Sequence, residues 1–250
     1  MKRIIGVMVL AGLGCPSTVS AQDSRGWLDV DFISAIPAEK EYTATFVYTR
    51  FQEPAAYSAA YSFPTGKGFG FGAGYMVAPR IGVGFNFSRQ TSQDIAGLGI
   101  SIPHPVFSNR SAVDGTTSDK DLERVERAVH LQGMLVLADS PTLRIRAFGG
   151  PTSFHVRQDT VSDITYLQLF TLLGGNTVGI TGYDTEKSLA SAWGFNVGAD
   201  ATYFVVPQIG VGGFVRFSRA TVDLSDLDSN IISPIKVGGT QVGVGLRVRF

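Results

Sequence analysis

The chain closes with Gln241-Val242-Gly243-Val244-Gly245-Leu246-Arg247-Val248-Arg249-Phe250, and these residues alternate without a break. A strand has a two-residue period. Val242, Val244, Leu246, Val248 and Phe250 therefore fall on one face, and Gln241, Gly243, Gly245, Arg247 and Arg249 on the other. The first face is wholly apolar and ends on an aromatic ring. The second combines glycine with arginine, which a dry protein core accepts only when its charges are paired. Such a strand calls for an apolar medium on one side and a polar, enclosed space on the other.

The pattern recurs upstream. Ile209, Val211, Val215 and Phe217 alternate with Gly210, Gly212, Phe214 and Arg216, and Trp193, Phe195, Val197, Ala199, Ala201, Tyr203 and Val205 alternate with Gly194, Asn196, Gly198, Asp200 and Thr202. Val129, Leu131, Leu135 and Leu137 alternate with His130 and Gln132, and Phe69, Phe71, Ala73 and Tyr75 with glycines. Ile81, Val83, Phe85 and Phe87 follow the same rule, as do Leu28, Val30 and Phe32 against Asp29 and Asp31. Leu143, Ile145 and Ala147 alternate with Arg144 and Arg146. The phase is then expected to slip at Gly149-Gly150-Pro151 through a bulge, so that Phe154 and Val156 carry on the apolar face.

Connections near 77–80, 138–142 and 206–208 are short, whereas those near 91–125, 158–190 and 224–235 are long. Short turns on one side and long loops on the other, joined by two-faced strands, predict an all-β, antiparallel, up-and-down transmembrane barrel. A soluble sandwich or barrel would share the alternation but would turn its apolar face inward. It would then crowd Trp193, Phe195 and Tyr203 into a core while glycine and charge met water. The stretches Tyr42 to Arg50 and Ala55 to Phe63 are rich in Thr and Ser. Read as a hairpin above the membrane, they leave eight barrel strands; read as wall strands, they make ten. The polar composition favours eight.

The other end reads as a Sec-type signal peptide over 1–21. Lys2 and Arg3 form its charged region, Ile4 to Leu13 its apolar core and Val19-Ser20-Ala21 its cleavage site, leaving 22–250 as the barrel domain. A lipoprotein signal ending at Cys15 competes, but Gly12-Leu13-Gly14-Cys15 lacks the usual leucine three residues before the cysteine. With cleavage after Ala21 the only cysteine is removed, and disulfides, thiolate metal sites and cysteine nucleophiles go with it. Taking Lys2 and Arg3 from the 21 basic residues leaves 19 against 21 acidic ones, a net charge of about −2 that gives nucleic acid no foothold.

The run Gly68-Phe69-Gly70-Phe71-Gly72-Ala73-Gly74-Tyr75, the turn after it and Ile81-Gly82-Val83-Gly84-Phe85 resemble strands of the small bacterial outer-membrane β-barrel family. The segment Val242 to Phe250 resembles that family's closing strand, except that Val248 stands where an aromatic is common. The resemblance implies residence in the bacterial outer membrane, contact with its lipid, and recognition of Val244, Leu246, Val248 and Phe250 by the barrel-assembly machinery. It chooses no function, because the family spans porin-like, adhesive and structural proteins.

Three groups of residues are candidates for function. Asp29, Asp31, Arg144, Arg146, Asp200, Arg216, Arg247 and Arg249 face inward; they form either a salt-bridged plug or, with glycines leaving room for water, a path for small polar solutes. Tyr166, Leu167, Leu169, Phe170 and Leu172 lie in an outer loop that is otherwise polar. They either pack onto that loop or meet the outer leaflet or an external partner. Ser153, His155 and Asp159 are the nearest approach to a catalytic set, but nothing in their spacing secures a base within reach of a nucleophile. His104, between Pro103 and Pro105, marks a stiff loop. Asp223, Asp226, Asp228 and Asn230 lack the glycine and distal Glu of a calcium loop. The expectation is a non-enzymatic barrel with a structural or surface-interaction role and no cofactor. A narrow channel is the alternative, and a barrel enzyme the third reading.

Overall fold

A computed structural model describes residues 25–222 and 235–250; the expected signal peptide, Cys15 and the acidic run Asp223 to Asn230 lie outside the described residues. The strands in chain order are β1 (Gly26–Pro37), β2 (Glu41–Arg50), β3 (Glu53–Ser62), β4 (Gly66–Ala78), β5 (Ile81–Asp94), β6 (Ala96–Pro103), β7 (Ser111–Thr117), β8 (Leu122–Asp139), β9 (Leu143–Phe170), β10 (Asn176–Val206), β11 (Ile209–Val222) and β12 (Ile235–Arg249). Eight of them close an antiparallel barrel in the order β1-β12-β11-β10-β9-β8-β5-β4, with β4 returning to β1. The other four form a separate sheet, β2-β3-β6-β7. Tyr42 to Arg50 and Ala55 to Phe63 thus stay out of the wall, and the strand count is eight.

The wall follows the alternation. Leu28, Val30, Phe32, Phe69, Phe71, Val83, Leu131, Trp193, Phe195, Val211, Val215, Val244 and Leu246 all lie exposed on the outside. Asp31, Asn86, Gln132, Arg146, Asn196, Asp200, Arg216 and Arg247 are buried inside. An apolar exterior around a polar interior, with no sheet edge left in the wall, is the arrangement that crosses a bilayer with its backbone satisfied. The three tight turns, at 79–80, 140–142 and 207–208, each sit beside a register shift, between Met76 and Ala78, Val136 and Ala138, and Phe204 and Val206. One extra residue twists each strand into its turn.

Two expectations need correction. There is no bulge at Gly149-Gly150-Pro151: β9 pairs with β10 in one unbroken register from Leu143 to Val161. Phe154 and Val156 therefore point inward with Arg144 and Arg146, and both are buried. The phase slip in the sequence reflects a change of medium. Below this level apolar side chains face lipid; above it they face an interior made of Ala128, Phe154, Val156, Ala220, Val222, Ile235 and Val237. Gly150 marks a close approach instead, since a Cβ there would lie 2.2 Å from the carbonyl oxygen of Leu131.

The segments 91–125 and 158–190 are likewise not loops. β9 and β10 run for 28 and 31 residues, some three times the roughly 9–11 that a membrane strand needs. Their outer halves form a ribbon standing clear of the bilayer. The β2-β3-β6-β7 sheet packs on this ribbon through Ala55, Ala59, Tyr61, Phe63, Ala96, Leu98, Ile100, Ile102, Ala112, Val161, Ile164 and Val178. The result is an extracellular head with a hydrophobic core of its own.

Candidate functional site

The lumen is built in layers. At the periplasmic end Trp27, Met76, Met134, Val136, Phe148 and Phe214 belong to one apolar cluster. Several inward glycines receive these large side chains: a Cβ on Gly74 would lie 2.1 Å from the Trp27 ring, one on Gly198 2.6 Å from Phe148, and one on Gly243 2.2 Å from Phe214. The expectation that inward glycines leave room for water is thereby corrected. They are sockets, already filled.

Beside this cluster lies a knot of charge. Arg247 Nη1 donates to Asp31 at 2.6 Å and its Nη2 to Asp200 at 3.0 Å, while Arg146 donates to the other oxygen of Asp200 at 2.8 Å. Asp29 stands between the two guanidiniums, 3.5 Å from Arg146 and 3.4 Å from Arg247. Arg146 also lies over the Trp27 ring at 5.2 Å. Arg216 is held differently. It donates to Gln241 at 2.8 and 2.6 Å and to Asn86 at 2.6 Å, so neutral amides rather than carboxylates satisfy it. The cavity among these side chains is about 20 Å³, room for roughly one water.

Arg144 and Arg249 do not join the knot. Arg144 forms a fork with Asp139 at 3.0 and 2.9 Å, and Arg249 donates to the carbonyl of Pro207; both lie over Phe204 at the periplasmic rim. Both sit at strand ends, where the turns, and not the opposite wall, come within reach.

Further up, His130 is buried between Ser88 at 3.2 Å and Thr152 at 2.8 Å. Glu126 accepts from Arg124 at 2.5 Å and from Gln90 at 2.9 Å, and Arg124 lies over the Phe63 ring at 5.4 Å. This layer fastens the barrel mouth to the head. Sequence reading misses it, although Arg124 and Glu126 keep the phase of His130 and Gln132. A long loop expected over 91–125 ends the strand too early.

Where β9 rises past β8 it loses a neighbour, and tyrosines stand in for the missing strand. The Tyr61 hydroxyl accepts from the Val161 amide and the Tyr57 hydroxyl donates to the Ser162 carbonyl, each at 2.8 Å. Tyr42 meets Gln158, and Arg50 meets Tyr166 beside Tyr48. An unpaired backbone edge is costly when dry, and phenols capping it from the facing sheet let the head exclude water there. Burial pushes the Tyr61 phenol up to about 12 and raises Tyr42, Tyr48 and Tyr57 as well.

The apolar run Tyr166 to Leu173 is divided by this packing. Tyr166 packs toward the head, whereas Leu167 and Leu169 on the opposite face stay exposed; Phe170 and Leu172 lie at the far end of the hairpin. Ser153 and His155 share the outer face of β9, where His155 Nδ1 contacts the carbonyl of its neighbour Phe154 at 2.9 Å. Asp159 accepts instead from the Glu123 amide at 3.3 Å. His104 is buried, not displayed. Its Nδ1 accepts from the amides of Val106 and Phe107 at 3.0 and 3.1 Å, and its Nε2 reaches the Thr171 carbonyl at 3.1 Å.

A closed eight-stranded wall with a lipid belt, a polar interior and a raised head defines the class by its fold: an antiparallel transmembrane β-barrel of the outer-membrane type. No family model matches the sequence, and no curated protein matches it. Among solved structures it is similar to the outer membrane protein OprG from Pseudomonas aeruginosa, with a TM-score of 0.46 and 11% identity over 91% of this chain and 96% of that one. It is also similar to the outer membrane protease OmpT from Escherichia coli, with a TM-score of 0.48 and 11% identity over 93% and 99% of the two chains. For Ail, the attachment invasion locus protein of Yersinia pestis, the values are 0.37, 12%, 89% and 99%.

Proposed function

We propose that this protein is a non-enzymatic, non-conducting barrel whose work is done by its extracellular head, a surface-interaction module on a membrane anchor. The observation that carries this reading is the contrast between the two halves. The lumen is filled by buried, mutually paired side chains around a cavity of about 20 Å³, while the head extends well beyond what a membrane span requires. A wall built only to hold a passage has no use for strands of this length. Purified protein in planar bilayers should therefore give no stable single-channel steps. Discrete conductance would favour the narrow-channel reading, and robust peptidase or deacylase activity the enzymatic one.

The closing strand has a separate role in this reading. Val244, Leu246, Val248 and Phe250 lie on the lipid face, and Phe250 exchanges backbone hydrogen bonds with Gly26 at 2.8 and 2.9 Å. They supply the signal that assembly factors grip. Deleting Phe250 should lower the yield of assembled barrel without moving the urea midpoint of molecules that do assemble. Equal surface levels of truncated and intact protein would count against this.

A further inference from the structure

The head ends in three hairpin tips, and each carries large apolar side chains into solvent. The β2–β3 turn presents Phe51, the β6–β7 loop presents Val106 and Phe107, and the β9–β10 turn presents Phe170, Leu172 and Leu173. Leu172 is 76% exposed and Leu173 95%, so neither packs the protein. The three tips are laced into one end of the molecule. Glu53 accepts from the Asn109 amide at 2.9 Å, His104 reaches the Thr171 carbonyl at 3.1 Å, and Arg110 donates to the Gly174 carbonyl at 3.3 Å.

The first turn reaches this arrangement at a cost. Phe51 and Gln52 have φ of 52° and 64°, a two-residue turn that would ordinarily be Asn-Gly, so the chain holds a bulky aromatic in the left-handed region at its tip. Two guanidiniums lie against the tip aromatics: Arg50 is 5.1 Å from the Phe51 centroid and Arg110 5.5 Å from that of Phe107. Carboxylates also reach this end, Glu53 on the Asn109 amide and Asp163 in the pocket lined by Arg50, Phe51 and Phe170, whereas Asp119, Asp121, Asp159 and Asp184 line a different pocket with Lys120, beside Leu122 where β8 enters the wall.

We propose that this end of the head inserts into a second, apposed bilayer whose headgroups are anionic; the proposal rests on the reading of the head as the contact-making part. Isolated projecting side chains backed by arginine suit acyl chains beneath phosphates, whereas a protein partner would more readily meet a contiguous packed patch. The protein's own outer leaflet is out of range. The lipid-facing surface beside β9 reaches Trp193, which pairs with Ser153, and Phe170 follows 17 residues on, which is about 55 Å of strand.

The test uses the full chain in nanodiscs, with Leu173→Trp as reporter and vesicles of phosphatidylcholine containing a minority of phosphatidylglycerol as probe. The emission of the introduced indole, taken as the difference from the parent chain, should shift to the blue when vesicles are added. Vesicle co-flotation of the parent chain should fall about tenfold for each of Leu172→Ser and Leu173→Ser. Heat-modifiable migration of all variants checks that the barrel has folded. No shift together with unchanged flotation overturns the proposal. Binding only to protease-sensitive components of a target cell also overturns it, but leaves the surface-interaction reading standing. Single-channel conductance without binding to any surface would remove both.

Discussion

Asp200 shows what the lumen demands of a single residue. Its two oxygens serve two guanidiniums, so Asp200→Asn keeps the shape but leaves Arg146 and Arg247 with less negative charge than they need. Breaking a buried pair in this way typically costs about 3–5 kcal/mol, and a lower urea midpoint in lipid should report it. On the other side of the wall the requirement is reversed. Val215 is half-exposed, paired with Ala199 and Val242 on the lipid face, and Val215→Arg should cost about 2–4 kcal/mol. Val113 is still more exposed but stands on the head, in water, and Val113→Arg should leave the midpoint where it was. Equal midpoints for the two arginine variants would mean that Val215 does not face lipid.

At the scale of elements, the tyrosines that cap β9 make the head sensitive to alkali. Their folded-state values lie above the ordinary phenol value near 10, so the stability they contribute is complete below pH 10 and drains away as pH rises through about 12. The head should loosen in that window while the wall persists, seen as early proteolysis of β2 and β3 with heat-modifiable migration retained. The wall is legible in the sequence because lipid imposes one rule on every strand, an unbroken apolar outer face. The head is legible only in part. Its sheet obeys the opposite rule, with Ala96, Leu98, Ile100 and Ile102 inward and Gly97, Gly99 and Ser101 outward, so β6 passes for loop. Phe154 and Val156 sit at the level where the rule inverts, and in one dimension a reversal of medium looks the same as a bulge. The members of the charge knot can be named from their phase, but not which of them meet. Arg144, Arg216 and Arg249 share that phase and find other partners, because height in the barrel is invisible to a two-residue period.

Taken whole, the molecule is a pedestal and a head made from different parts of the chain. β2 and β3 are spliced between β1 and β4, β6 and β7 between β5 and β8, and the two hairpins meet where β3 pairs with β6. Replacing 41–62 by a short turn should therefore leave an intact barrel, because β1 and β4 pair directly. The same deletion should strip β6 of its neighbour and melt what remains of the head, visible as rapid amide exchange across 96–117. The knot of charge in the lumen also bears on how such a wall closes. Asp29 and Asp31 stand on the first strand of the barrel, Arg247 on the last, and Asp29 lies directly opposite Arg247 in the seam. A two-residue slip of that seam would still turn every apolar side chain to lipid and keep most backbone bonds, so oiliness alone could not tell the right closure from the wrong one. It would, however, displace Asp29 and Asp31 by about 7 Å against the guanidinium, while Asp200, tied to the last strand through β11, stays where it is. The ion cluster thus acts as a checksum on barrel closure, favouring the alignment of the two ends in which Arg247 has Asp29, Asp31 and Asp200 within reach together.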